Sequence, residues 1–272
     1  MGFIVMVNTN ATLINEEWAD FFAENPSRRI NVTLYGASAK DYGTVCQNTD
    51  GFDQAIQGVR LLKERGIHVK VSGSLVRHNL NSLEDYIELC EELDVPVMTE
   101  TYMMPATRER MCPFDYSQRL TPQDYAKAKL RLLPTVVGTY NVEEEIKQML
   151  IDIEQSQPDN EKRGFTCKAG LCSFTINWQG MMRPCVLLKK PEVNVLDEGV
   201  LSAWHQIRLA CDDVHCDAKC AACEYRSLCP RCPAAEQAEK GTFGIAPDYL
   251  CDCTKEYVKL LRQHMSQHAQ TD

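Results

Sequence analysis

Nowhere does this chain of 272 residues contain an apolar run approaching the ~20 residues of a membrane-spanning helix. The N-terminal MGFIVMVNTN has neither the basic start nor the cleavage signature of a secretory leader, and Met6 stands where a myristoylation signal wants Ser or Thr. Basic charge is also scarce. Twenty-nine Lys and Arg face 38 Asp and Glu, a net charge of −9, and no basic stripe is present to release counterions from a nucleic acid. These absences predict a cytoplasmic protein that binds neither membrane nor nucleic acid. With 44% hydrophobic residues the chain can bury one large core or two modest ones. Its unusual content is cysteine. Fourteen of them in a reducing compartment point to metal ligands rather than disulfides.

The first hundred residues alternate strand and helix patterns. FIVMV is a β-branched apolar run, followed by NEEWADFFAEN with Asn15 as helix N-cap and acids in the first turn. INVTLYG is the next strand. A helix then starts near Asp50 and ends at Gly66, and the cycle repeats with IHVKVSGSL, the helix NSLEDYIELCEEL and VPVMTETY. Four strands separated by helices predict an α/β fold with parallel pairing through right-handed crossovers, as an open sheet or partial barrel. Such folds place chemistry at the C-terminal ends of strands, which here carry Asn8, Thr9, Asn10, Tyr35, Ser74, Arg77 and Asn79. Polar residues also simply begin loops.

Residues 121–156 are predicted helical, with Thr121 as cap and Pro122 at the first position. The polar stretch QPDNEKRG reads as a linker. The expected organisation is therefore 1–156, then a cysteine-rich domain over 157–253, then an amphipathic helix over 254–272. All but three of the fourteen cysteines lie between Cys167 and Cys253.

The densest stretch, CDAKCAACEYRSLCPRC, packs five cysteines into seventeen positions. Its knuckles, Cys220 with Cys223 and Cys229 with Cys232, are only five residues apart, closer than zinc ribbons generally place them, so zinc would need further ligands. Iron–sulfur clusters take four thiolates from near and distant cysteines, and runs with a trailing Cys-Pro suit them; Pro follows both Cys229 and Cys232. Upstream, CKAGLCSFTINWQGMMRPC adds Cys167, Cys172 and Cys185, with Gly180 suited to a tight turn before the last thiol. Downstream lies Cys251. These make eight thiolates.

From Cys167 to Cys251 the pattern resembles the SPASM domain of radical SAM enzymes such as sulfatase and peptide maturases: Cys, twelve residues, Gly, four residues, Cys, then CxxC, five residues, Cys, and a late Cys. The resemblance implies two auxiliary [4Fe-4S] clusters with interleaved ligands, the first on Cys167, Cys172, Cys185 and Cys232 and the second on Cys220, Cys223, Cys229 and Cys251. One departure is the two-residue gap between Cys229 and Cys232, one shorter than the family's pattern. Cys46, Cys90 and Cys112 read as ordinary buried thiols, and the array leaves Cys211, Cys216 and Cys253 without a role.

The front of the chain resembles the same family, with NTNATLI, VTLYGAS, LLKERGIHVKVSGSLVRHN and VPVMTETY similar to strands three to six of a radical SAM barrel. This implies a partial TIM-like (β/α) barrel, with S-adenosylmethionine contacted by Thr33, Ser74, Arg77 and Asn79. It also implies a peptide or protein substrate and an electron donor such as flavodoxin or ferredoxin. The family's chemistry needs a CxxxCxxC triad after the first barrel strand, and none precedes Phe3. Cys216, Cys220 and Cys223 fit the expression literally, but they follow the four strands and share two thiols with the auxiliary array. FIVMV, an apolar run without alternation, belongs inside a parallel sheet. Met1 is therefore expected to be internal to a longer parent, and the first strand to self-associate through an exposed edge. A non-catalytic iron–sulfur or electron-transfer module and a zinc-stabilised interaction domain are the competing readings.

Overall fold

The computed structural model describes residues 3–105, 114–137, 141–157 and 164–268, so Cys112 lies outside the described residues. By its contacts the chain divides into one unit formed by Met1–Met103 and Tyr116–Val142, and another formed by Met104–Asp115 and Glu143–Asp272.

The first unit follows the alternating pattern. Strand β1 (Met6–Thr9) leads to helix α1 (Glu16–Glu24), strand β2 (Arg29–Thr33), helices α2 (Ala39–Cys46) and α3 (Gly51–Glu64), strand β3 (Val69–Ser74), helix α4 (Leu83–Glu92), strand β4 (Val97–Glu100) and helix α5 (Pro122–Val137). The four strands form one parallel sheet in sequence order, with Val7 opposite Ile30, Val32 opposite Val71 and Val71 opposite Val97. Alternation in β2 sends Ile30 and Val32 inward, where they are fully buried with Leu34, Val59, Leu62 and Val71. Local signals set the helix ends. The Asn15 side chain accepts the Trp18 N–H at 3.0 Å, and α3 stops before Gly66, whose φ of 69° is the left-handed position glycine favours.

The opening of the chain departs from expectation. The first strand is shifted along FIVMV: β1 begins at Met6 and takes only the last two residues of the run, and Phe3 and Ile4 are each 83% exposed. β1 forms one edge of the sheet, and of the run only Val7 packs against the core, while Phe3, Ile4, Val5 and Met6 are exposed. The Val5 carbonyl extends the pairing by accepting the Arg28 N–H at 2.8 Å.

The second unit contains helix α6 (Val142–Glu154), short strands β5 (Thr175–Ile176), β6 (Met181–Arg183) and β7 (Val193–Asn194), and helices α7 (Val195–Glu198), α8 (Val200–Asp212), α9 (Ala218–Ala221), α10 (Pro233–Lys240) and α11 (Asp248–His268). The three strands pair antiparallel, in order. Gly180, at φ 77°, makes the β5–β6 turn, where the Asn177 side chain accepts the N–H groups of Gln179 and Met181. Met182, Leu188, Ala203, Ile207 and Cys211 form the fully buried core, which gives Cys211 a packing role.

Two expected boundaries shift. The helical stretch over 121–156 is two helices, and α6 groups with the second unit rather than the first. The final helix starts at Asp248, so a division after Cys253 would cut a continuous helix. The apolar face of α11 begins before the cysteine pair, as fully buried Cys253 and nearly buried Leu250 show.

Candidate metal centres

Four thiols that the sequence sets far apart line one cavity of about 480 Å³: Cys220, Cys223, Cys229 and Cys251. Successive tight turns present them. Asp217 caps α9, its carboxylate accepting the Lys219 N–H at 2.9 Å and the Ala246 N–H at 3.0 Å. Cys220 sits inside that turn, and the Cys223 N–H donates to the Cys220 carbonyl at 3.3 Å. A further turn brings the Cys229 N–H to the Tyr225 carbonyl at 3.0 Å, and Cys251 is offered from the first turn of α11. The thiols feel one another. Burial, then Asp217, then Cys251 and Cys229 push the Cys220 thiol up to about 12. Burial and Cys229 also raise Cys251, while Lys219 and Lys255 work to lower it. A metal ion bound by such thiols replaces their protons outright.

Of the other set, Cys167 and Cys185 act on Cys232 at the start of α10. Burial raises the Cys232 thiol, the backbone N–H groups of Ala235 and Ala234 oppose the shift, and Cys185 and Cys167 add to it. Cys232 is the N-cap of α10, with Pro233 at the first helical position. Its short spacing from Cys229 thus does not keep it from Cys185 and Cys167. The Cys185 sulfur accepts the Leu187 N–H at 3.4 Å, and the Cys167 sulfur accepts the Ala169 N–H at 3.5 Å. Cys172 is exposed in the adjoining turn, its N–H donating to the Lys168 carbonyl at 3.1 Å. Cys216 does not line the cavity that holds Cys220 and Cys223. Cys90 and Cys253 are fully buried, and Cys46 is half-buried.

Among the described residues, no three His, Cys, Asp or Glu side chains form a group that could hold a metal ion. A four-iron cluster asks for something else, one thiolate on each of its four irons around a volume. The first donor set fits that group, with four cysteines on one cavity; at the start of α10, Cys185 and Cys167 act on Cys232.

The residues nominated for S-adenosylmethionine lie at the C-terminal edge of the parallel sheet. Thr33 ends β2 half-buried, Ser74 ends β3 exposed, and Arg77 is exposed in the loop beyond. Asn79 differs. It is 5% exposed, its amide donating to the carbonyls of Tyr35 and Ser74 at 3.1 Å each and accepting the Val76 N–H at 2.8 Å. Its polar atoms are used within the protein, tying the end of β2 to that of β3. Asp41 was not anticipated. It is buried, accepts the Ala37 N–H and the Ser82 hydroxyl at 3.0 Å each, and lies so close to Gly36 that a Cβ there would meet its own Cβ at 2.2 Å. The Ser38-x-x-Asp41 spacing is a helix-start signal that could have found it; the Asp41 N–H donates to the Ser38 hydroxyl at 3.2 Å.

Residues 1–105 match the model of the radical SAM superfamily. Among curated proteins, the chain is similar to the AdoMet-dependent heme synthase of Methanosarcina barkeri (strain Fusaro / DSM 804), 22% identical over 258 residues, covering 89% of this chain and 72% of that protein. The protein of the same name from Oleidesulfovibrio alaskensis is 22% identical over 267 residues, covering 92% and 68%. Among solved structures, native anSMEcpe with bound AdoMet superposes with a TM-score of 0.66 at 19% identity, over 98% of this chain and 75% of that one. Streptococcus suis SuiB gives 0.61 at 14% identity, over 90% and 60%. At such identities the superpositions speak for fold. The resemblance of the front of the chain to radical SAM enzymes is borne out: this chain carries a radical SAM superfamily match over residues 1–105, on an α/β fold whose parallel sheet matches radical SAM enzyme structures.

Proposed function

We propose that this chain is part of a radical SAM/SPASM oxidoreductase of the maturase kind. Its first unit is the sector of a partial barrel that holds S-adenosylmethionine, and its second holds two auxiliary [4Fe-4S] clusters. The observation that carries this is the cavity shared by Cys220, Cys223, Cys229 and Cys251, in a chain whose first 105 residues match the superfamily. In the whole enzyme, S-adenosylmethionine given one electron by a reducing cluster that the eight thiols named here do not hold would supply the radical that abstracts a substrate hydrogen, and the auxiliary clusters would supply one-electron storage. The residues of this chain do the rest. Asn79 fixes the loop at the sheet edge, Ser74 and Arg77 face the space beyond it, and Thr33 closes the neighbouring strand. In the second unit, Asp217 holds the Cys220 turn in place, and the eight thiols release their protons as iron enters.

A peptide or protein substrate is supported by the fold neighbours, since anSMEcpe has been solved with a bound Cp18Cys peptide and SuiB with its precursor peptide SuiA. The names of the curated relatives favour a second reading, a heme-type tetrapyrrole. Titrating the anaerobic protein with a cysteine-containing peptide and with a metal-free porphyrin separates the two, because only one should bind. Protein purified anaerobically should carry about eight irons and eight sulfides, four of each per cluster. Zinc without sulfide would instead mark the zinc-stabilised interaction domain.

A further inference from the structure

Glycine inside a strand marks the close approach of another group, and Gly73 in β3 is such a place. A Cβ there would stand 2.6 Å from the Tyr86 hydroxyl oxygen and 3.2 Å from the Leu34 carbonyl oxygen. With no side chain at 73, α4 lays Tyr86 against the sheet and a small cavity is left beside it. It measures about 10 Å³, with Leu34, Gly73, Ser74, Asn79, Tyr86 and Thr99 on its lining. That is close to the least room a single water occupies.

We propose that this cavity is a binding site for one water molecule, held between the side-chain hydroxyls of Tyr86 and Thr99. Tyr86 is 6% exposed. Among the described residues neither hydroxyl oxygen has a hydrogen-bond partner, so the two do not bond to each other. Buried polar atoms of this kind are bonded to protein or to ordered water. Two other polar side chains at the site are already spent, Asn79 on Tyr35, Ser74 and Val76, and the Ser82 hydroxyl on Asp41. Burial, with Cys90 and Tyr42 adding to it, pushes the Tyr86 hydroxyl up, so it stays protonated and able to donate.

The water accepts the Tyr86 hydrogen bond, donates one to the Thr99 oxygen and keeps its second hydrogen for the Leu34 carbonyl. That makes three bonds, about the usual number for a buried water. It links α4 to β4 at the end of the sheet where Asn79 links β2 to β3. The site lies wholly within the first unit and depends neither on iron–sulfur clusters nor on S-adenosylmethionine.

Thermal unfolding of the full chain tests the site by sign. Losing a hydroxyl that a held water bonds is destabilising, whereas deleting a buried hydroxyl with no partner is neutral or stabilising. Tyr86→Phe and Thr99→Val each remove one hydroxyl, and Val keeps the β-branched shape suited to a strand. Each should lower the melting temperature by roughly 2–4 °C, and the double variant by less than the sum, because either loss already loosens the water. A melting temperature left unchanged or raised by either substitution overturns the proposal. A crystal structure of the wild-type chain gives a second reading, and decides alone if a variant fails to fold. One ordered oxygen within hydrogen-bond distance of both hydroxyls is expected there; a dry cavity, or the two hydroxyls bonded directly to each other, overturns the proposal even if both variants lose stability.

Discussion

The carboxylate of Asp217 accepts the Ala246 N–H at 3.0 Å, which ties the turn bearing Cys220 and Cys223 to the segment that leads into α11 and Cys251. Burial works to raise this carboxyl, but the N–H groups of Ala246 and Lys219 and the Lys219 charge hold it below the usual carboxylate range. A depressed carboxyl contributes stability that is present above its unfolded value, about 3.9, and is lost as pH falls through the folded one. Asp217→Ala should cost about 1–3 kcal/mol at neutral pH, the range for losing hydrogen bonds to a charged, partly buried group. Denaturant unfolding should show that gap closing below about pH 4, where the wild-type carboxyl is protonated as well. A gap constant with pH would deny the carboxylate its role.

Asn79 and Arg77 were nominated together and should part on mutation. Asn79→Ala leaves the buried Val76 N–H without its partner and should lower the melting temperature by roughly 2–8 °C. Arg77→Ala, at an exposed position, should leave the melting temperature alone and weaken S-adenosylmethionine binding by calorimetry. Equal thermal effects from the two would contradict this division.

The free edge of β1 should drive self-association. Phe3 and Ile4 are each 83% exposed and Met6 is 55% exposed beside the unpaired side of the strand. Val5→Lys places a charge at a residue already 53% exposed, so it should convert associated protein to monomer without loss of stability. Sedimentation velocity decides; wild-type protein that runs as a monomer at high concentration contradicts the prediction.

This chain of 272 residues should not cleave S-adenosylmethionine reductively. Its literal CxxxCxxC match divides between two places, since Cys220 and Cys223 line the cavity with Cys229 and Cys251 while Cys216 does not. With four thiolates on four irons, no iron there is open to the cofactor. Cys216→Ala should leave iron content unchanged. Release of 5′-deoxyadenosine, lost in that variant, would show a catalytic centre at Cys216.

Legibility tracked how local each signal was. Alternation in β2 and β3, the Asn15 cap and the stop at Gly66 involve neighbours within a few residues, and all were readable. β1 was placed about three residues early because an apolar run marks residues suited to burial, not where pairing with β2 begins. β5 and β7 have two residues each, too few for a period of two to register. Asp217 escaped notice for a different reason. Its partner Ala246 is 29 residues away, and nothing in the stretch around it announces a long-range contact. The thiols were found by spacing, and their division into two sets came from the family pattern; what needed the fold was the cavity that Cys220, Cys223, Cys229 and Cys251 share.

That division is the central claim, and iron and sulfide content in two single variants tests it most directly. Cys232→Ala and Cys251→Ala should each keep about four irons and four sulfides of about eight, one cluster of two. Adding the second substitution to the first should empty the protein. If Cys232→Ala and Cys229→Ala disturb the same cluster, signal for signal, the interleaved assignment is wrong. If wild-type protein holds zinc and no sulfide, both clusters are.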